Sequence, residues 1–156
     1  MLNNAERKAT QKRYDDAIAR LYRATELFAQ IRIEKTKGYK LGKLTLKDLD
    51  EELRPEYSKY MKENDKLLLG LREDYELLYK VGDIVGKGFK ENEGSLLNAL
   101  NYRNSSILAH GITPLKEKDY NFVSQNLKGF ILKAAKKIDL HLELKQLPQG
   151  EIIKIK

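Results

Sequence analysis

The amino-acid sequence predicts an all-α protein, an antiparallel four-helix bundle with short additional helices. Apolar residues recur at steps of three and four along four stretches, at about 5–33, 65–81, 95–110 and 113–138. Only 3 Pro and 10 Gly interrupt a composition that is 41% hydrophobic and 34% charged, which is typical of a helical globular protein. The 156 residues suffice for one domain, and we expect a helical core at about 5–138 and a tail at 139–156.

The first helix is predicted over residues 5–33. Tyr14 and Tyr22 lie on or beside its apolar side, so we expect both rings in the core with their hydroxyls at its edge. Threes and fours separate the residues of the apolar stripe, which are Tyr14, Ala17, Ile18, Leu21, Thr25, Phe28 and Ile31.

A basic loop is predicted at residues 35–43, KTKGYKLGK, which have two glycines, four lysines and no apolar period. Lys37, Lys40 and Lys43 are candidates for contacts with a nucleic-acid strand. The alternative is that these lysines are solvated surface charges without a binding role.

Two short helices are predicted after this loop. Thr45 begins TLKD, an N-cap pattern with an acid three residues later, so we expect a helix through Leu53. Pro55 is suited to a first helical turn and predicts a second helix at about 56–61.

The next helix is predicted from Asp65 to Val81, with a wide leucine-rich face. Gly82, Gly86 and Gly88 predict a flexible turn after it, followed by a loop at 90–94. Ser95 is the expected N-cap of the following helix, and Gly111 is expected to end it.

The last long helix is predicted from Thr113 and Pro114, as N-cap and first helical residue, to about Ile138. Beyond it, apolar residues alternate with polar ones at 140–144 and again in EIIKIK, with PQG between. This alternation predicts a small C-terminal β-hairpin.

Composition excludes several classes of site. The chain has no cysteine, so disulfides and thiolate chemistry are absent. His110 and His141 are far apart in sequence and neither lies in an HExxH motif, so we expect no metal and no cofactor. No apolar run reaches the roughly 20 residues that cross a bilayer, and the first residues carry no signal-peptide core. We therefore expect a soluble, cytoplasmic protein without a membrane partner.

Net charge gives a weaker indication. The 30 Lys and Arg exceed the 23 Asp and Glu by seven, which favours a polyanionic partner. The lysines are spread along the chain, however, and many ordinary soluble proteins carry such a charge.

The most informative stretch is 96–111, LLNALNYRNSSILAHG. Arg103 and His110 lie seven residues apart, so on a continuous helix their Cα atoms are about 10.5 Å apart on one side. Both occupy positions where core residues are expected, and an arginine reaching along the helix would let the two side chains meet one ligand. The stripe that they share is Leu96, Leu100, Arg103, Ile107 and His110.

Structural explanations for this pair remain open. Arg103 could pair with an acid of the bundle, and His110 could be a C-terminal residue favoured by the helix dipole. An arginine and a histidine at this spacing also occur together by chance, so the spacing by itself decides little.

The motif YRNSSILAHG resembles the R-x4-6-H signature of the HEPN superfamily, in which a polar residue commonly follows the arginine. The longer blocks RYDDAIARLYRATELFAQIRI and LLNALNYRNSSILAHGITPL are similar to the C-terminal HEPN region of CRISPR-associated CARF-HEPN ribonucleases of type III systems. The resemblance extends from about Tyr14 to about Ile138, and its second block is the more specific.

The resemblance implies an endoribonuclease that needs no metal and acts on single-stranded RNA through a cleft shared by two HEPN domains. Its catalytic residues would be Arg103, Asn104 and His110, and we expect a homodimer. RNA contacts are expected from residues beside the arginine, Tyr102, Ser105 and Ser106, and from the basic loop, Lys37, Lys40 and Lys43.

The resemblance also implies an upstream CARF domain that binds cyclic oligoadenylate. The 156 residues leave no room for one beside the helical domain, so we expect the nuclease part of a longer protein or a stand-alone relative. Two alternative functions are a catalytically silent HEPN-like module that binds RNA or protein, and the toxin of a HEPN toxin–antitoxin pair.

Overall fold

The structure, a computed structural model, describes residues 1–105 and 114–142. Within them the fold is all-α, as predicted, and the only β-type pairing consists of two isolated bridges, Thr45 with Lys66 and Met61 with Leu67. The α-helices of the described residues are α1 (Leu2–Thr10), α2 (Tyr14–Lys37), α3 (Arg54–Tyr57), α4 (Leu71–Lys80), α5 (Ile84–Glu91), α6 (Glu93–Ser105) and α7 (Glu117–Lys137).

Helix α2 is the centre of the packing, because α1, α4, α6 and α7 all contact it. Its predicted stripe is confirmed at Ala17, Ile18, Leu21 and Thr25, which are buried. The buried side then continues through Ala29 and Ile33, whereas Ile31 is 49% exposed, so the predicted continuation to Ile31 is wrong. Among the described residues no helix is long and apolar enough to cross a membrane.

The predicted first helix is in fact two helices. Lys12 has a φ of +58° in the turn after α1, and the amide of Arg13 donates to the Lys8 carbonyl at 2.9 Å. This turn folds α1 back onto α2, which buries Leu2 and Ala5. Lysine rarely adopts the left-handed conformation, so this break could not be predicted from the residue type.

The segment between α2 and α4 consists mostly of 3₁₀ turns. Gly38 ends α2 with a φ of +72°, and the predicted Thr45 cap is present: Asp48 accepts from the Thr45 amide at 2.8 Å. The turn that follows is a 3₁₀ turn, Leu46–Asp48, and a second one spans Glu51–Leu53, so the predicted α-helix through Leu53 is wrong. Pro55 lies in the first turn of α3, as expected, and a 3₁₀ turn, Ser58–Tyr60, continues it.

Helix α4 begins at Leu71, six residues later than predicted. Before it, the Leu67 amide donates to the Leu44 carbonyl at 2.8 Å and the Leu68 amide to the Tyr60 carbonyl at 3.1 Å. These hydrogen bonds hold the backbone before α4 in an extended conformation. The Glu73 carboxylate then accepts from the Gly70 amide at 3.1 Å and caps the first turn of α4.

The predicted turn and loop at 82–94 is a turn followed by helix α5. Gly82 forms the turn with a φ of +78°, but Gly86 and Gly88 lie inside the helix. A Cβ on Gly86 would be 2.1 Å from the Tyr79 backbone nitrogen, so this glycine lets α5 approach α4 closely. Helix α6 begins at Glu93, and Ser95 lies inside it rather than at its N-cap.

Helix α7 begins at Glu117 rather than near Pro114, because Asp119 accepts from the Lys116 amide at 2.8 Å and caps that turn. Its end at Lys137 agrees with the prediction. Thr113 and Gly111 lie outside the described residues, as do residues 143–156 with most of the predicted hairpin. The antiparallel four-helix arrangement and the single domain at 1–156 stay predictions.

Candidate active site

Helix α6 carries Arg103 on a side that is otherwise core. Leu96 is 1% exposed and Leu100 is 6% exposed, and Arg103, next on the stripe, is half-buried. The predicted stripe is therefore confirmed as far as Arg103. Ile107 and His110, the remaining members, lie outside the described residues.

Tyr22 of α2 holds the guanidinium of Arg103. The Arg103 Cζ lies 5.0 Å from the centre of the Tyr22 ring, within the range of a cation–π contact. Arg103 Nη1 also donates to Asn104 Oδ1 at 3.4 Å, a long hydrogen bond. Arg103 and Asn104, two of the predicted catalytic residues, are therefore in contact.

The surroundings of Tyr22 keep its ring neutral. Burial raises the pKa of the Tyr22 hydroxyl, and the Glu26 carboxylate raises it further, while the Arg103 guanidinium lowers it. Because the net direction is upward, the phenol stays protonated at neutral pH. The Arg103 cation thus lies over an uncharged aromatic ring with an acidic residue near it.

A buried acid, Asp74, lies in the interface of α2 and α4. It is fully buried, Gln30 Nε2 donates to its Oδ2 at 3.4 Å, and its Oδ1 has no hydrogen-bond partner among the described residues. Burial raises the pKa of this carboxyl to about 8, because removing a carboxylate from water disfavours the charged form. Asp74 therefore keeps its proton at neutral pH.

Tyr102 contacts helix α7. Its ring lies 5.5 Å from that of Phe122 of α7 and is half-buried there, so it contributes to the α6–α7 contact. Ser105 is the last residue of α6. Ser106 lies outside the described residues, and its predicted RNA contact stays a prediction together with those of Tyr102 and Ser105.

The predicted basic loop begins at Gly38 rather than at residue 35, since α2 continues to Lys37, but its three lysines lie together. Lys37, Lys40 and Lys43 line one cavity of about 430 Å³ between the end of α2 and the next turns. Lys37 pairs with Asp50 at 3.0 Å, and no carboxylate lies within 4.0 Å of Lys40 or Lys43 among the described residues. Lys37 is 15 residues beyond Tyr22 on α2, about 22 Å along its axis. The structure therefore separates the basic loop from Arg103.

The chain returns to α2 soon after His110. The Leu115 amide donates to Asp15 Oδ2 at 3.2 Å, and Asp15 lies seven residues before Tyr22 on α2. Arg103 and Leu115, the described residues on either side of the motif in sequence, thus both contact α2. These two positions on α2 are about 10.5 Å apart along the helix.

Tyr22 packs against the core, as expected, but sequence reasoning missed its contact with Arg103. Its position supplies the only clue: Tyr22 directly follows the buried Leu21, so its ring lies on the flank of the stripe, where a neighbouring helix can meet it. Periodicity cannot tell which residue of that neighbour is met.

The described residues hold no group of three or more His, Asp or Glu placed to bind a metal ion.

Comparison with known proteins identifies the family. The family model described as "Csm6 HEPN domain" matches residues 1–134, which include the whole of α1 to α6 and the Arg103 to His110 motif. No curated protein and no solved structure matches the chain. Since the match covers most of the 156 residues, the chain belongs to the Csm6 HEPN domain family, which confirms the resemblance to a CRISPR-associated HEPN domain.

Proposed function

We propose that the protein is an endoribonuclease that cleaves single-stranded RNA without a metal ion, as part of a CRISPR type III antiviral response. The observation that carries this proposal is the half-buried Arg103, on the stripe of α6 that otherwise forms core, in a chain that matches a CRISPR-associated HEPN family. A cation placed there suggests a function other than solvation.

The chemistry follows from what RNA itself supplies. The 2′-OH attacks the adjacent phosphorus, the bond to the 5′-oxygen breaks, and the products are a 2′,3′-cyclic phosphate and a 5′-OH end. Arg103 would contact the phosphate oxygens and stabilise the negative charge that grows in the transition state. His110 would transfer a proton, since histidine is the side chain whose unperturbed pKa lies near neutral pH.

His110 has to reach Arg103 for this mechanism, and the chain path supports that. His110 is five positions before Leu115, whose amide donates to Asp15. Five residue steps span at most about 18 Å, so this connection is long enough for His110 to reach Arg103. Asn104 would orient the guanidinium through the hydrogen bond that it already accepts.

A second proton-transfer group is needed, because one donates to the leaving oxygen while another accepts from the 2′-OH. A second copy of the chain would supply it, so we propose a homodimer whose two motifs face one cleft. Light scattering at micromolar concentration tests this, and a monomer that cleaves RNA would exclude the shared cleft.

The proposal is tested by incubating labelled single-stranded RNA with the protein in EDTA. We expect cleavage in wild type and a loss of at least about 100-fold in Arg103→Ala and in His110→Ala, the range of an acid–base or charge-stabilising group. Arg72→Ala is the matched control, because Arg72 is an exposed arginine that pairs with Glu93. Full activity of Arg103→Ala, or activity that chelation abolishes, would refute the proposal.

A further inference from the structure

A second cavity lies between α5, α6 and α7, and neither its position nor its residues belong to the Arg103 site. Its accessible volume is about 160 Å³, and the buried Leu96 and Phe130 form part of its apolar wall. A cavity of roughly 150 Å³ holds one benzene-sized ring. The volume therefore suits a single aromatic ring system.

Two glycines keep this cavity open. Gly88 of α5 and Gly129 of α7 both line it, and each lies inside a helix, where glycine costs about 0.5–1 kcal/mol relative to alanine. A Cβ on Gly129 would meet nothing within 4 Å, and one on Gly88 would make an ordinary contact with Phe130 at 3.8 Å. Packing requires neither of these two glycines, in contrast to Gly86. What the two share is that both line the cavity.

Two asparagines that line the cavity offer hydrogen-bonding groups to a ligand. Asn92 Nδ2 donates to the Gly88 carbonyl and Asn126 Nδ2 to the Phe122 carbonyl, both at 2.8 Å. Each amide nitrogen keeps a second N–H, and neither Oδ1 has a hydrogen-bond partner within the described part of the chain. Each Oδ1 is an acceptor for an N–H group of a ligand.

Two cations complete the site. Lys133 and Lys137, one turn apart on α7, both line the cavity and are exposed. No carboxylate lies within 4.0 Å of either ammonium group among residues 1–105 and 114–142. A ring-sized apolar space, amide acceptors and two unpaired ammonium groups match the parts of a nucleotide: an aromatic base with N–H donors and a phosphate.

We infer that this cavity binds one nucleotide, with the base against Leu96 and Phe130 and the phosphate on Lys133 and Lys137. The choice of a nucleotide over other anionic ring compounds depends on the proposed function, in which the substrate is RNA. The nucleotide is then either one residue of a bound RNA strand or a free mononucleotide, and the two sources share the same chemistry.

The test is an NMR titration of the isotope-labelled full chain with UMP and AMP, and with uridine and inorganic phosphate for comparison. We expect shifts centred on Gly88 and Gly129, and tighter binding of a mononucleotide than of uridine or phosphate. Gly129→Leu, which fills the space, should weaken binding at least about tenfold, the effect of removing one ring contact worth about 1.4 kcal/mol. The control is Gly94→Leu, since Gly94 is also unobstructed but does not line the cavity.

Charge is tested separately. Lys133→Gln and Lys137→Gln should each weaken mononucleotide binding several-fold, whereas Lys136→Gln, the exposed neighbour that does not line the cavity, should not. Equal affinity for phosphate and mononucleotide, or unchanged binding in Gly129→Leu, would overturn the inference, as would the absence of any saturable mononucleotide binding in wild type.

Two further arms separate the sources and the two proposals. Competition by a short single-stranded RNA assigns the cavity to the RNA strand, and its absence assigns it to a free nucleotide. Arg103→Ala should bind mononucleotides like wild type while losing cleavage. Cleavage without mononucleotide binding therefore defeats only this inference, and mononucleotide binding without cleavage defeats only the proposed nuclease.

Discussion

Arg103 depends for its position on residues outside its own turn of helix. Tyr22 lies under the guanidinium and Asn104 accepts one of its hydrogen bonds. An arginine side chain has many rotamers in solution, and ordering it costs up to about 2 kcal/mol. Contacts that fix it before RNA arrives reduce this cost in the transition state. On this account Tyr22 is a positioning residue.

Replacing Tyr22 tests that role. Tyr22→Leu removes the aromatic face, and because a cation–π contact is worth about 0.5–2 kcal/mol, we expect kcat for RNA cleavage to fall about 2- to 30-fold. Tyr22→Phe retains the aromatic ring and should keep nearly full activity. If the side chain only filled space, leucine would serve as well as phenylalanine. Equal kcat in both variants at equal thermal stability argues against the positioning role.

Asp74 gives the fold a pH dependence of defined sign. The folded pKa of about 8 lies above the value of an unfolded aspartate, near 3.9, so between these values the folded state retains a proton that the unfolded state has lost. The free energy of unfolding therefore falls as pH rises from about 5 to 8, by up to about 1.4 kcal/mol per unit. The stabilisation that comes from the raised pKa of Asp74 is complete at low pH and is lost as pH rises through the folded value of about 8.

Urea unfolding of Asp74→Asn from pH 5 to 8 measures this contribution. The variant cannot titrate there, so its stability relative to wild type should rise with pH. Asp48→Asn is the control: hydrogen bonds from Thr45 lower the pKa of Asp48, and it is ionised in both states over this range. Its stability curve should run parallel to that of wild type. A parallel curve for Asp74→Asn would show that Asp74 does not retain its proton.

At the scale of helices, apolar periodicity predicted the long helices. It failed where backbone contacts determine where a helix begins or ends. The stripe of α2 from Ala17 to Thr25 and the buried leucines of α6 follow directly from spacing. The break at Lys12 and the late start of α4 do not, because both depend on turns and hydrogen bonds with distant residues. Likewise the placement of Arg103 was predictable, whereas its contact with Tyr22 depends on how α2 and α6 pack.

Helix α5 shows the same limit, and its glycines allow a test. Three glycines in seven residues predicted a break, but Gly86 permits the close approach of α5 to α4. Gly86→Ala should lower the free energy of unfolding by about 1–3 kcal/mol, because a Cβ 2.1 Å from the Tyr79 nitrogen forces the helices apart.

Gly94→Ala is the matched control for that change. A Cβ there meets nothing within 4 Å, so its effect should stay within about 1 kcal/mol and favour the folded state. Chemical denaturation of both variants decides the matter. If Gly86→Ala is as stable as Gly94→Ala, the helices are not in backbone contact.

At the scale of the whole molecule, the net charge of +7 suits an RNA partner. The cationic side chains proposed to contact RNA, however, lie in three separate places. Lys40 and Lys43 line the cavity beyond the end of α2. Arg103 of α6 lies against Tyr22 of α2. Lys133 and Lys137 of α7 line the cavity between α5, α6 and α7. A strand that contacts more than one of these places would be held on either side of the bond that is cut. The proposed dimer would double each of them.

The chemical identity of the new RNA ends tests the central claim most directly, since a 2′-OH nucleophile leaves a cyclic phosphate. Mass spectrometry of single-stranded RNA cleaved in EDTA should show 2′,3′-cyclic phosphate and 5′-OH ends in wild type and none in Arg103→Ala. Products with 3′-OH and 5′-phosphate ends, or cyclic phosphates that form equally well in Arg103→Ala, would contradict the assignment of Arg103 to RNA cleavage.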